Sequence, residues 1–352
     1  MVNYCRSCFQ PLKIHNQGFL SIFSSDNDKL KETLTKLYFK QVNTDHFINA
    51  FESKSALKEF LSFIHYELGN VLEEVKGAIH QEEVPGPFER YSLQTIYEHT
   101  IHENTVNIIK NGEFISYMQP IINMESGDIY GYESLLRVKD QSIFPSQLFE
   151  VARKTEMHSI LDKKAREIAI EARTNQIPQG IKSFINFLPS TIYNPAHCLK
   201  HTFQIVEKYN VDPNDLVFEV VETEKIHDVQ HLKSILKTYR NHGMKVALDD
   251  VGAGYSTLDM LSKLRPDYIK IDRQYIQDCH MNKDNQTFLL GVMNLARELG
   301  ITVLGEGIET KEEFQYLKEI GIDLAQGYFI GKPSPNPSLL LFDKENRQLA
   351  GL

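Results

Sequence analysis

The chain has 352 residues, 41% of them hydrophobic and 24% charged, which is enough apolar material for one large domain and a smaller one. A formal net charge of −9 argues against a broad grip on DNA, although it leaves room for a nucleotide held through metal. No apolar run approaches the roughly 18 residues of a membrane helix, the start MVNYCRSCF has no secretory apolar stretch, and four cysteines do not make a disulfide framework. A cytoplasmic protein without membrane insertion is therefore expected.

Residues 1–85 read as a separate regulatory or interaction unit, small and either α+β or helical. It opens on Cys5-Arg6-Ser7-Cys8, half of a zinc site. Cys198 and Cys279 are isolated, so His15, His46 or a second copy of the chain would have to complete it; an incidental thiol pair is the other reading. A strand is expected over Phe19–Ser24, then helices over Asp28–Lys40 and Ser55–Ile79. Leu57, Phe60, Leu61, Ile64, Leu68, Val71 and Leu72 keep helical spacing in the second, a stripe suited to core or a dimer contact. Pro85-Gly86-Pro87 is the clearest break in the chain. A connector helix is expected over residues 86–112, carrying Leu93, Ile96, Ile101, Ile108 and Ile109 and stopping at Asn111-Gly112.

From residue 113 to about 345 strand and helix alternate. Phe114–Ile122 and Ile129–Leu136 flank a five-residue turn and predict an antiparallel hairpin. Strands follow at Ser183–Leu188, Leu216–Glu222, Val246 to Leu248, Tyr268–Ile271, Thr302–Glu309 and Leu324–Gly331, with helical patterns between them. Eight such units favour a closed, TIM-like (β/α)8 barrel made irregular by its first hairpin; an open doubly wound sheet is the alternative.

Polar residues gather where these apolar runs end: Glu133, Asn186, Glu219, Asp249 with Asp250, Lys270 with Asp272, Glu306 with Glu309, and Gln326. In a barrel all such ends open on one face, where active sites lie. One acid is commonly a solvated strand exit, and Asp249-Asp250 before Gly252 also fits that description. Acids or amides on so many successive strands are harder to explain that way. The donors are all oxygen, which selects Mg²⁺ or Mn²⁺ over zinc, as one ion or two. Lys270 among them would orient a water or meet a phosphate oxygen, or else form an internal salt bridge. There is no P-loop and no Ser/His/Asp arrangement at these ends.

In order along the chain these residues resemble the EAL-domain phosphodiesterases that hydrolyse bacterial cyclic di-GMP. The likeness runs from about Asn104 to Pro335. It is carried by Gln119-Pro120-Ile121, Glu133-Ser134-Leu135-Leu136-Arg137, Asn186, Glu219-Val220-Val221-Glu222, DDVGAGYS from Asp249, YIKID from Tyr268, EGIET from Glu306 and QGYFIGKP from Gln326. The resemblance implies metal ligation by Glu133, Asn186, Glu219, Asp249 and Asp250. It assigns Lys270 and Glu306 to positioning and deprotonating the attacking water. Gln119 and Arg137 would hold the guanine or phosphate of cyclic di-GMP with Gln326 beside them, and Glu222 would brace the loop after Asp250. It further implies a homodimer and the linear product pGpG. Ser134 stands where the family has alanine and Val251 where it has phenylalanine, while no expected metal or water-handling position is lost. A catalytically silent cyclic di-GMP receptor signalling through the N-terminal unit is the alternative. That unit carries no GGDEF synthase signature.

Overall fold

The computed structural model describes residues 12–24, 27–83, 89–221, 228–252 and 258–337. Cys5, Cys8 and Glu222, to which the sequence gives roles, lie outside the described residues. Two compact units divide them: residues 12–113 with 140–161, and residues 114–139 with 162–337.

The first unit is α+β. Strands β1 (Gly18–Phe23), β2 (Lys40–Gln41), β3 (His46–Phe51), β4 (Lys76–His80) and β5 (Tyr91–Ser92) form an antiparallel sheet ordered β2-β3-β1-β4-β5. Alternation along β1 sends Leu20 and Ile22 into an apolar core and Phe19, Ser21 and Phe23 to the other face. Helices α1 (Asp28–Lys36) and α2 (Lys54–Leu68) close that core with Leu30, Leu34, Leu57, Leu61 and Ile64. Asn27 and Ser53 cap them, each accepting a backbone N–H of the first turn.

The expected helix over Ser55–Ile79 is in fact three elements. α2 stops at Gly69, whose φ of +54° the helix cannot continue through. A 3₁₀ turn follows over Gly69–Glu73, and then β4. Strand β3 has no counterpart in the sequence reading. The segment read as a connector breaks at His102 into α3 (Leu93–Ile101) and α4 (Glu103–Asn111). Leu93 and Ile96 are fully buried in the core of this same unit, which also includes α5 (Pro145–Lys154).

His99 on α3 is 2% exposed, and its Nε2–H donates to the Thr155 carbonyl at 2.7 Å. Burial pushes its imidazole down from 6.5 to about 4. The folded ring stays neutral where the unfolded one takes a proton, so its stabilisation is complete above pH 6.5 and is lost as pH falls toward 4. The loss approaches about 3 kcal/mol at the acid end, from 1.36 kcal/mol per pKa unit. Urea melts of this unit's signals between pH 7 and pH 4 are expected to show it, and His99→Gln to flatten the slope. An unchanged slope in that variant would remove His99 as the cause.

The second unit is a closed eight-stranded barrel of β6 (Phe114–Asn123), β7 (Ile129–Val138), β8 (Lys182–Phe187), β9 (Leu216–Val220), β10 (Lys245–Val251), β11 (Tyr268–Ile271), β12 (Thr302–Gly305) and β13 (Leu324–Gln326). β6 runs antiparallel to both neighbours, β7 and β13, and the other pairs are parallel. The hairpin read from the sequence is therefore what makes the barrel irregular. Two apolar layers hold it. The larger fills the space between strands and surrounding helices. The smaller lies inside the barrel: Ile121, Phe184, Val217, Ala247, Tyr268, Leu304 and Leu324. Among the described residues no helix is long and apolar enough to cross a membrane.

Candidate active site

The interior layer explains the polar cluster above it. Side chains two apart in a strand share a face. Moving two residues toward the open mouth from each interior apolar residue gives Gln119 from Ile121, Asn186 from Phe184, Glu219 from Val217, Asp249 from Ala247, Lys270 from Tyr268, Glu306 from Leu304 and Gln326 from Leu324. Glu133 stands in the same relation to Gly131 on β7 and pairs directly with Gln119. One apolar floor thus carries one polar storey, and every strand of the barrel contributes to it.

Lys270 is the hub. Its ammonium is 1% exposed and lies 2.7 Å from Glu306 Oε1, 3.0 Å from Glu219 Oε2, 3.2 Å from Asp249 Oδ1 and 3.7 Å from Glu133 Oε1. Asn186 Nδ2 donates to Glu133 Oε1 at 2.9 Å, and Gln326 Nε2 donates to Glu133 Oε2 at 2.7 Å. Glu133 is thereby fixed in orientation, and Gln326, 3% exposed, reaches a carboxylate of the cluster.

Adjacent residues in a strand point to opposite faces, so Asp249 and Asp250 should not both reach the mouth. They do because the register between β10 and β11 slips between Leu248 and Val251, a bulge at the acid pair. Asp250 takes φ +52°, a left-handed conformation that aspartate tolerates better than most residues. As a result one oxygen from each of Asp249, Asp250 and Glu306 lies within 4.8 Å of the other two.

The electrostatics show a cluster short of positive charge. Burial would raise the Glu133 carboxyl, but Lys270 and the donors Gln326 and Asn186 outweigh it and hold Glu133 below its usual range. For Glu219 and Glu306 burial prevails over Lys270, reinforced by the neighbouring acids, and both carboxyls rise well above theirs. Burial also raises Asp249, and burial with the Asp249 and Asp272 charges pushes Asp250 up to about 6. Burial acts to lower the Lys270 ammonium, but the surrounding carboxylates overcome it and raise it well above its usual value. One cation cannot hold five carboxylates charged in a dry site. The donor set fits a divalent hard cation on three counts: it is all oxygen, it converges on one spot, and Glu219 Oε1 is buried with no hydrogen-bond partner.

The remaining sequence candidates fall around this core. Gln119 Nε2 donates to the Gly331 carbonyl at 3.3 Å. Arg137 lies two turns of the pleat beyond Glu133 on the same face, over the Tyr117 ring at 5.5 Å. Asp272 stands at the edge of the cluster, sharing a side-chain hydrogen bond with Asp250, and Glu309 lies outside it. Asp272 caps the short helix after β11 by accepting from the Gln274 N–H, and Glu309 pairs with Arg273 at 2.9 Å on the surface. β12 ends at Gly305, so Glu309 lies past the strand and outside the cluster. Reading by strand ends could not separate Glu309 from the rest, but a step of two from the interior Leu304 reaches Glu306 and not Glu309.

Residues 102–333 match the EAL domain family. The chain is 33% identical over 233 residues to the probable cyclic di-GMP phosphodiesterase PdeG of Escherichia coli K12, a match covering 64% of this chain and 45% of that protein. It is 29% identical over 244 residues to the cyclic di-GMP phosphodiesterase RocR of Pseudomonas aeruginosa PAO1, covering 67% and 62%. The chain thus spans less than two thirds of the length of either relative. Among solved structures, the cyclic di-GMP-bound standalone versatile EAL protein of Vibrio cholerae O395 has 31% identity and a TM-score of 0.61, covering 66% of this chain and 98% of that one. The manganese and cyclic di-GMP complex of Klebsiella pneumoniae BlrP1 covers 90% of this chain and 96% of that one at a TM-score of 0.58, and at 20% identity it bears on the fold alone. With the matched stretch spanning the whole barrel and all of its polar storey, the chain belongs to the EAL domain family.

Proposed function

We propose that this chain hydrolyses cyclic di-GMP to linear pGpG with the help of Mg²⁺ or Mn²⁺. The observation that carries the reading is the convergence of five carboxylates and an asparagine around one buried lysine at the barrel mouth. Two relatives named as cyclic di-GMP phosphodiesterases support the substrate. Asp249, Asp250 and Glu306, with Glu133, Asn186 and Glu219 around them, would hold the cation. Such an ion lowers the pKa of bound water and offsets charge on a phosphodiester.

The chain's own residues supply the rest. Lys270, kept charged by its four acidic neighbours, fixes Glu306 at 2.7 Å and offers its ammonium to the phosphate or to the attacking water. Glu306, raised by burial, is suited to accept the proton that water loses. Water oxygen bonds to phosphorus, the P–O3′ bond breaks, and the released 3′-oxygen takes up a proton. Gln119 and Arg137 lie on the mouthward face where the guanine or the second phosphate would rest.

The test is direct. Purified protein is incubated with cyclic di-GMP and Mn²⁺, with a chelated control, and nucleotides are separated by chromatography. Metal-dependent pGpG is the expected result. Nucleotide binding without turnover would instead make the chain a receptor and overturn the hydrolytic reading.

A further inference from the structure

A clamp of side chains closes on the backbone just past the acid pair of β10. Asp250 has φ +52° and Gly252 has φ +103°, so the chain passes twice through the left-handed side within one short turn. Such a turn persists only where its surroundings over-determine it. Here the supports come from β11 and the residues that follow it. Val251 pairs with Ile271 and is fully buried. The Asp272 N–H reaches the Val251 carbonyl at 3.5 Å, and the Asp272 carboxyl shares a hydrogen bond with that of Asp250. The Tyr275 hydroxyl donates to the Gly252 carbonyl at 2.8 Å.

Tyr275 is itself fixed. It lies on the short helix Arg273–Ile276, which Asp272 caps at its start. Asn285, on the helix Lys283–Leu299, donates its amide to the Gln274 and Gln277 carbonyls at 3.1 Å each and so ties the two helices together. The Tyr275 ring stacks on Phe288 of that second helix, with centroids 3.8 Å apart and planes inclined by 22°. A β-carbon on residue 252 would lie 2.4 Å from the Tyr275 ring and 2.5 Å from that of Phe288, so only glycine lets the turn come this close. The stack alone would be satisfied by phenylalanine at position 275. The hydroxyl is the part that reaches the turn.

We infer that Tyr275 is a positioning residue of the cation site, acting through the Gly252 carbonyl to keep Asp250 in the left-handed conformation that brings its carboxylate to those of Asp249 and Glu306. This rests on the proposed reading of the acid cluster as a divalent-cation site. Without the hydroxyl the turn is free to relax toward the ordinary alternation of a strand, in which Asp250 points away from Asp249. The three acids then converge less often, and the ion is held less tightly. Tyr275 acts on the ligand and not on the reacting atoms, so more metal makes good its loss.

Tyr275→Phe removes the hydroxyl and keeps the ring stack. Mn²⁺ affinity of the full chain, read by electron paramagnetic resonance without nucleotide, is expected to fall about tenfold. The melting temperature in chelator should stay within about 3 °C of wild type. Turnover of cyclic di-GMP should fall at limiting Mn²⁺ and return to the wild-type kcat at saturating Mn²⁺. Wild-type Mn²⁺ affinity in the variant overturns the inference, as does a loss of turnover that excess Mn²⁺ does not recover. An affinity loss matched by early melting in chelator overturns it too, since the hydroxyl would then support the fold as a whole. A wild-type chain that binds no Mn²⁺ overturns it together with the cation reading. If Mn²⁺ binding weakens as expected in a chain that makes no pGpG, the hydrolytic reading fails and this inference stands.

Discussion

Glu133→Ala is expected to lower cyclic di-GMP turnover by at least about a thousandfold while the barrel stays folded. Glu133 is the best-oriented acid of the cluster: Asn186 holds one oxygen, Gln326 the other, and Lys270 lies 3.7 Å away. Loss of a single orienting partner around a metal typically costs about 10–100-fold. Loss of a charged group aimed at the reacting centre costs on the order of 10²–10³. Here both happen at once, and the buried Gln326 amide is left as a donor without its acceptor, at about 1–3 kcal/mol. Rates of pGpG formation across a Mn²⁺ titration check the prediction, with thermal melts as the folding control. Wild-type turnover in this variant would mean that Glu133 is not part of the machinery.

Lys270→Met should produce the largest effect on stability, and in a metal-dependent way. The variant removes the ammonium contacted by Glu133, Glu219, Asp249 and Glu306, leaving buried carboxylates without that counter-charge. Breaking a buried pair from one side costs about 3–5 kcal/mol. In a domain of this size that is a fall in Tm of roughly 10 °C. The sign of the pH dependence follows from the directions of the shifts. Acids whose folded pKa is raised destabilise the fold as pH climbs from the unfolded value near 4 through the folded value, about 6 for Asp250 and well above the ordinary carboxyl range for Glu219 and Glu306. The chelated variant should therefore melt lower at pH 8 than at pH 5, and Mn²⁺ should recover much of the difference. A variant that melts like wild type in chelator at pH 8 would refute the idea that Lys270 is the cluster's main internal counter-charge.

Much of the barrel was legible in the sequence because its signals are local and repeated. Each strand is a short apolar run, each is followed by a helical pattern, and the Met124–Asp128 turn marks the reversed first strand. The polar storey was legible for the same reason: each donor closes an apolar run. What could not be read depends on three dimensions. The bulge that turns Asp250 toward Asp249 is a register slip against β11, and neither strand shows it alone. Glu309 looks like a cluster member in the sequence, and only the endpoint of β12 assigns it elsewhere. In the N-terminal unit, α2 and the residues after it share one hydrophobic rhythm, and only the positive φ at Gly69 shows where the helix gives way. Strand β3 lacks strict alternation, with Phe47 and Ile48 both buried although they point to opposite faces.

The arrangement of the barrel interior in two storeys has an evolutionary consequence. Packing is supplied by Ile121, Phe184, Val217, Ala247, Tyr268, Leu304 and Leu324, and the polar groups rest on top of them. Replacing a group in the upper storey leaves the lower one intact. On the proposed reading, a descendant of this chain that gave up catalysis through one or two substitutions would still keep a shaped mouth for a cyclic dinucleotide, so that an enzyme of this build would lie only a few mutational steps from a sensor on the same scaffold.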